Sequence, residues 1–183
     1  METKSYILSI LVDDEPGVLS RIAGLFSGRG FNIDSLAVAN AKEPNVSRIT
    51  MVTNCDKHII EQIKKQLHKL INVITVTDLT KKKYVERQLA LIKVNAQSDK
   101  KAEILRIVDI FRCKIVDVGL SHYTIEVSGD SGKHEAIRAL LQPMGIIEIA
   151  STGAIALGRE GAKGSKNGQA GKPGKIRKKN IPY

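Results

Sequence analysis

The first eighty residues alternate between apolar runs and segments in which apolar side chains recur at helical spacing. Tyr6, Leu8, Ile10 and Val12 fall on one face of an extended chain, which predicts a largely buried strand. The apolar residues from Val18 to Phe26 follow at the spacing of an amphipathic helix. The pattern continues to residue 79 and predicts the order βαββαβ, with strands at 36–39, 47–54 and 73–79 and a second helix capped by Asp56.

The same order of elements restarts after the lysine run at 81–83. Apolar runs predict strands at 89–96, 115–118, 123–128 and 146–150. One helix is predicted to follow a cap at Ser98, and another to span residues 134–142 before Pro143. Two units of one order and similar length predict an α+β fold of two tandem ferredoxin-like (βαββαβ) domains, at residues 1–80 and 81–157.

The remaining segment, residues 158–183, differs sharply in composition from the two predicted domains. It carries eight of the 29 Lys and Arg residues with one acid, so most of the net charge of +10 lies there. Glycine, lysine and asparagine dominate, and too few apolar side chains remain to offset the chain entropy of folding. We expect a disordered basic tail. Its one aromatic residue is Tyr183, so we do not expect it to bind nucleic acid.

Several classes of protein are excluded by the rest of the composition. No apolar run reaches 18 residues and the N-terminus lacks the zones of a secretory signal, so we expect a cytoplasmic protein without a membrane span. Cys55 and Cys113 stand alone, which favours reduced structural thiols. Neither a metal site nor a catalytic site is expected, because the four histidines share no ligand spacing: His58, His68, His122 and His134.

The stretch Gly129-Asp130-Ser131-Gly132-Lys133 has part of the pattern of a phosphate-binding loop. The full pattern places four residues between its first glycine and the Gly-Lys pair and adds a final Ser or Thr, and this spacing is missing. The stretch also lies between a predicted strand and a predicted helix. We therefore interpret it as a strand-to-helix turn.

The candidate site lies in the connection between the first strand and the first helix, Asp13-Asp14-Glu15-Pro16-Gly17. Pro16 sets the torsion at the entry to the helix, and Gly17 allows a ligand to approach the backbone. The free amides at a helix start attract a carboxylate, and Asp14 offers an acceptor for an ammonium group. This combination matches the two charges of a free amino acid. A tight turn shaped by Asp14 and Gly17, without any ligand, explains the local sequence better, because Pro-Gly turns are common.

Longer motifs resolve this choice by resemblance. The stretch Pro16-Gly17-Val18-Leu19 after a strand, followed later by Asn32-Ile33, resembles the ACT domain, a small-molecule-sensing module. The stretches 16–27 and 29–36 resemble the small regulatory subunits of acetolactate synthase, also called acetohydroxyacid synthase (AHAS). Further matching motifs follow in the expected order over residues 5–157, at 47–50, 62–70, 86–87, 111–112, 115–118 and 131–133.

The resemblance implies a homodimer that binds valine, or a related amino acid, between two ACT domains. The loop before the first helix supplies backbone contacts, and an asparagine at the start of the second strand comes from the neighbouring protomer. Transferred to this sequence, the effector-binding residues are Asp14, Gly17, Val18 and Asn32, with Ile33 and Val38 as apolar neighbours.

The resemblance also implies a partner, a large catalytic subunit of branched-chain amino acid biosynthesis. That partner carries thiamine diphosphate, magnesium and FAD, whereas the chain itself holds no cofactor and performs no catalysis. Binding to the partner raises its activity, and the amino acid lowers it again. Two residues depart from the family pattern, because relatives commonly have asparagine at Asp14 and arginine at Ser151.

Three other functions are weighed against this one. An RNA-recognition motif has the same order of elements but needs aromatic residues on its middle strands, where the chain has Arg48 to Val52. An enzyme of the acylphosphatase type needs a cationic first loop, and the acids at 13–15 repel phosphate. A stand-alone ACT-type amino-acid sensor that acts on a different partner remains the alternative.

Overall fold

The computed structural model describes residues 3–97 and 100–159, arranged as two units in sequence. The elements of the first unit are β1 (Lys4–Asp13), α1 (Val18–Ser27), β2 (Ser35–Asn40), β3 (Val46–Cys55), α2 (Lys57–Leu67) and β4 (Val73–Asp78). Those of the second are β5 (Tyr84–Asn95), α3 (Lys101–Ile110), β6 (Lys114–Val118), β7 (His122–Gly129), α4 (Ser131–Leu141), β8 (Ile146–Ser151) and β9 (Ile155–Gly158). Two short 3₁₀ turns follow β4 and α4, at Leu79–Lys81 and Gln142–Met144. The cap expected at Ser98 and the tail from residue 160 onward lie outside the described residues.

Each unit contains one antiparallel sheet, and the two sheets have the same topology. The strand order is β2-β3-β1-β4 in the first unit and β6-β7-β5-β8 in the second. This arrangement confirms the predicted α+β fold of two ferredoxin-like units. None of the helices in the described ranges is long and apolar enough to cross a membrane.

The helices of the first unit pack on one face of its sheet because alternate strand residues point to that face. Leu8 and Ile10 of β1 and Met51 of β3 are fully buried there against side chains of α1 and α2. Burial of one such side chain stabilises the fold by about 1.5–3 kcal/mol. The second unit has a separate core of the same design, centred on Ile92 of β5 and Ile125 of β7.

Strand β9 is an element that the apolar pattern did not predict. It pairs with the first four residues of β5, where Tyr84 lies opposite Gly158 and Arg87 lies opposite Ile155. Strand β5 therefore begins at Tyr84, five residues earlier than the predicted strand 89–96. The sequence-based assignment was wrong here, because a four-residue strand with exposed apolar side chains carries almost no periodic signal.

The two units meet where the paired strands β5 and β9 lie against the face of the first sheet that its helices leave open. Ile7, Leu79 and Ala156 form a small buried cluster at this junction. Nearby, the Ala154 amide donates a hydrogen bond to the Ser35 hydroxyl at 2.9 Å. The junction joins the beginning of β2 to the second unit.

Candidate functional site

The loop from β1 to α1 holds Asp14 at the protein surface, next to the start of β3. The Asp14 amide donates to the Asn45 carbonyl at 2.8 Å, and its carboxylate accepts from the Ser47 hydroxyl at 3.1 Å. Asp14 itself is exposed. The carboxylate is therefore held in place by the protein while it remains open to a ligand from solution.

No side chain caps the N-terminus of helix α1. Gly17 occupies the cap position with φ 83°, a left-handed conformation that favours glycine, and no side chain accepts a hydrogen bond from the first amides. The Val18 amide reaches only the Glu15 carbonyl, at a long 3.4 Å. Pro16 belongs to the preceding turn, because the helix begins at Val18. Uncapped amides at a helix start form a natural site for a carboxylate.

The side chain of Val18 is buried in the core, with 4% of its surface exposed. A ligand in the loop can therefore meet the backbone of Val18 but not its isopropyl group. This placement agrees with the backbone contacts that the family resemblance implies for the loop. Of the three loop residues chosen from the sequence, Asp14, Gly17 and Val18, Asp14 is the one with an exposed polar side chain.

Asn32, Ile33 and Val38 lie in and before the edge strand β2. Asn32 is exposed, and its side-chain amide donates to the Asp34 carboxylate at 2.7 Å. Strand β2 begins at Ser35, three residues after Asn32, and contains the strand predicted at 36–39. Ile33 packs partly buried against the first core, whereas Val38 is 45% exposed.

Within one protomer, the predicted residues form two separate groups. Asn40, at the end of β2, and Val12, near the end of β1, both lie opposite Ser47 of β3. The beginning of β2 instead lies opposite Val52, which also pairs with Ile7 of β1. Ser47 and Val52 are five residues apart along β3, so at about 3.3 Å per residue these two ends of the sheet are about 17 Å apart. The loop at Asp14 and the side chain of Asn32 therefore do not meet in a single chain.

A groove of about 410 Å³ lies elsewhere, with strands β2 and β3 on one side and the paired strands β5 and β9 on the other. Aliphatic residues form most of its lining, which also includes Arg48 and Arg87. Of the six residues predicted to bind an effector, Val38 alone lines this groove.

Other candidate chemistry is absent from the described residues or already used by the fold. Residues 3–97 and 100–159 contain no cluster of three or more His, Cys, Asp or Glu side chains that could hold a metal ion. Cys55 and Cys113 are free thiols, as expected, and burial raises the pKa of each. The Gly129–Lys133 stretch is the predicted strand-to-helix turn, in which the Asp130 carboxylate accepts from the Lys133 amide at 2.9 Å.

The sequence analysis missed one residue next to the candidate loop. Asn72, in the turn between α2 and β4, is buried and contacts Asp13, Glu15 and Arg21. A lone asparagine in a predicted turn has no distinctive pattern, because asparagine is common in turns for conformational reasons alone. Its contacts with the first loop arise only when residues almost sixty positions apart come together.

Family models match both halves of the chain. Residues 8–75 match the model described as an AHAS small subunit-like ACT domain, and residues 87–160 match the model of the small subunit of acetolactate synthase. The two matched regions coincide with the two ferredoxin-like units.

Individual relatives agree with the family models over most of the chain. The acetolactate synthase small subunit of Aquifex aeolicus is 47% identical over 160 residues, which cover 87% of this chain and 83% of the relative. That of Mycolicibacterium smegmatis is 46% identical over 157 residues, or 86% of this chain and 92% of the relative. The crystal structure of the small subunit from Thermotoga maritima has 41% identity and a TM-score of 0.76, over 87% of this chain and 99% of that one. The chain therefore belongs to the family of acetolactate synthase small subunits.

Proposed function

We propose that this chain is a non-catalytic regulatory subunit that forms a homodimer through its ACT domain and senses a branched-chain amino acid there. In this proposal, binding of the chain raises the activity of the large catalytic subunit, and valine or a close analogue lowers it. The separation of the two predicted residue groups along β2 is the observation that carries the proposal.

Antiparallel pairing of two β2 strands about a twofold axis would join the separated groups. In such a pair, the beginning of one strand lies opposite the end of the other. The Asn32 end of one protomer then approaches the Asp14 loop of its partner, and the twofold axis creates two equivalent sites. A homodimer therefore completes a site that each chain holds only in halves.

The sequence of β2 supports this pairing. The strand lies at the edge of its sheet and reads Ser-Leu-Ala-Val-Ala-Asn, without a charged residue or proline. Edge strands that stay unpaired are usually protected by such residues, and Lys114 and Asp117 have this role in the corresponding edge strand β6. Strand β2 is thus well suited to pair with another strand.

The chemistry of the completed site suits a zwitterion with an aliphatic side chain. The bare amides of α1 bind the carboxylate, Asp14 accepts from the ammonium group, and the Asn32 amide of the other protomer adds a donor and an acceptor. A ligand that contacts both protomers favours one arrangement of the dimer, which is the requirement for allosteric control. The thiamine diphosphate, magnesium and FAD of the proposed complex belong to the catalytic partner.

A charge placed in the middle of β2 tests the proposal. Val38→Lys should convert the dimer to a monomer in analytical ultracentrifugation, because a lysine at this position blocks edge pairing. The same variant should lose the binding heat for L-valine. Ile74→Lys is the matched control, since Ile74 is 52% exposed on the opposite edge strand β4 and the variant carries the same change.

The effector is identified by calorimetry with L-valine, L-leucine and L-isoleucine, with Asn32→Ala as a variant of the distant half-site. Activity is measured with the large subunit, with and without the amino acid that binds. A dimeric Val38→Lys protein with unchanged binding would overturn the proposed interface. The absence of heat from all three amino acids would overturn the sensor function.

A further inference from the structure

Asn72 is a buried polar residue in a part of the chain to which the proposed function assigns no role. It lies in the turn between α2 and β4, and 8% of its surface is exposed. Burial of an amide without hydrogen bonds is unfavourable, so its partners determine why an asparagine stands there. Its side-chain partners belong to the last residue of β1, the β1–α1 loop or the first turns of α1.

The side chain of Asn72 joins the two sides of the loop. Its Oδ1 accepts from Arg21 Nη1 at 2.6 Å, one turn into helix α1. Its Nδ2 donates to Glu15 Oε2 at 3.2 Å and, over a longer 3.4 Å, to Asp13 Oδ2. The Asn72 carbonyl also accepts from the Asp13 amide at 2.9 Å. Asp14 thus lies between two residues that the same asparagine holds.

These partners require a side chain that donates at one end and accepts at the other. A guanidinium donates only, and carboxylates accept only, so the amide of Asn72 has a single favourable orientation between them. An aspartate of the same shape would keep the acceptor for Arg21 but would place a third carboxylate beside Asp13 and Glu15. An alanine would remove all three side-chain hydrogen bonds.

We propose that Asn72 is a positioning residue of the effector site, an inference that rests on the proposed function. It touches no ligand. It holds the loop that carries Asp14 and the uncapped amides of α1, so that these two groups of opposite charge keep one arrangement. Binding energy that would otherwise be lost in ordering a mobile loop is thereby retained.

The test uses the isosteric variant Asn72→Asp in the full-length chain. Calorimetry with L-valine should show affinity weakened about tenfold or more, because hydrogen bonds to charged groups are lost and like charges are brought together. Activation of the large subunit without the amino acid, and inhibition at saturating valine, should remain near the wild-type level. Asn95→Asp in the second unit is the control, since it makes the same change in charge far from the loop.

A second substitution separates positioning from general destabilisation. Glu15→Gln in the Asn72→Asp background restores a donor opposite the new carboxylate and removes one repelling charge. It should return the affinity for valine to within about threefold of the wild type, which simple damage to the core would not allow. If Asn72→Asp folds poorly by circular dichroism, Asn72→Ala replaces it with the same expectation of weaker binding.

The two proposals fail in different ways. If wild-type protein binds valine and both Asn72 variants bind it equally well, the positioning role is wrong and the sensor function stands. Failure of Glu15→Gln to restore affinity would also contradict the role. If the wild type binds none of the three amino acids, the proposed function fails first, and the positioning role falls with it.

Discussion

Two strand-to-helix junctions of the chain carry a glycine within two residues of an acid, and they differ in what satisfies the first amides of the helix. At the β7–α4 junction, the Asp130 carboxylate accepts from the Lys133 amide at 2.9 Å, and Lys133 Nζ in turn donates to the Ser128 carbonyl at 2.9 Å. At the β1–α1 junction, Gly17 occupies the cap position and has no side chain that could accept from the first amides. The β1–α1 junction is held from outside instead, by Ser47 and Asn72.

This difference separates a helix start used for stability from one left open for a ligand. A carboxylate at the cap position stabilises a helix by about 1 kcal/mol, and it also occupies the amides that an external anion would need. The junction that resembled a phosphate loop in sequence is therefore closed to anions. The ordinary Pro-Gly turn is the open one, because it supplies no cap of its own.

The strongest test of this comparison adds a carboxylate to the open junction. We expect Gly17→Asp to reduce the affinity for L-valine by about 100-fold, because the new carboxylate competes for the amides and repels that of the ligand. Feedback inhibition should disappear while activation of the large subunit persists. Gly132→Asp adds the same residue to the closed junction and should leave valine binding unchanged. Inhibition of the Gly17→Asp complex by valine would show that the loop is not the site.

The backbone of the open junction is tested by alanine at two glycines. A Cβ atom added at Gly17 or at Gly24 would meet no other atom within 4 Å, but only Gly17 has a positive φ, at 83°. Gly17→Ala should therefore lower the free energy of unfolding by about 1–2 kcal/mol. Gly24→Ala, in the interior of α1, should raise it by about 0.5–1 kcal/mol. Urea denaturation measures both, and changes of the same sign would contradict the role of the torsion.

At the closed junction, removal of the cap should reduce stability without any effect on the effector. Asp130→Ala is expected to lower the free energy of unfolding by about 1 kcal/mol, and Asp130→Asn should retain most of the stability because it keeps an acceptor. Asp14→Ala, at the open junction, should change the same quantity by less than about 0.5 kcal/mol. Equal losses at Asp14 and Asp130 would mean that both acids act as structural caps.

The smallest expected effect concerns the charge of Asp14. Asp14→Asn should weaken valine binding by less than about tenfold, since exposed ion pairs contribute only about 0.2–1 kcal/mol. The remaining affinity should depend less on salt, because a charge that attracts the ammonium group is gone. Calorimetry at low and high ionic strength measures both quantities. Stronger binding by Asp14→Asn would show that repulsion of the ligand carboxylate is the larger effect.

The sequence predicted the elements best where the signal is local. The cap at Asp56 is confirmed by the hydrogen bond from the Ile59 amide to its carboxylate at 2.8 Å, a contact between residues three positions apart. The buried faces of β1 and α1 also follow the predicted periodicity. The beginning of β5 was missed, because Tyr84 to Arg87 form a strand only by pairing with β9, about seventy residues later.

For the candidate site, the sequence alone determined which groups are available: a helix start without a cap, an acid beside it and an asparagine before the edge strand. Those properties reside in residue types and short spacings, which act over one or two turns of chain. Only the tertiary structure decided that the loop and Asn32 lie at opposite ends of β2, and that Asn72 holds the loop in place. Strand register and long-range hydrogen bonds set these positions, and both depend on contacts between segments that are distant in the chain.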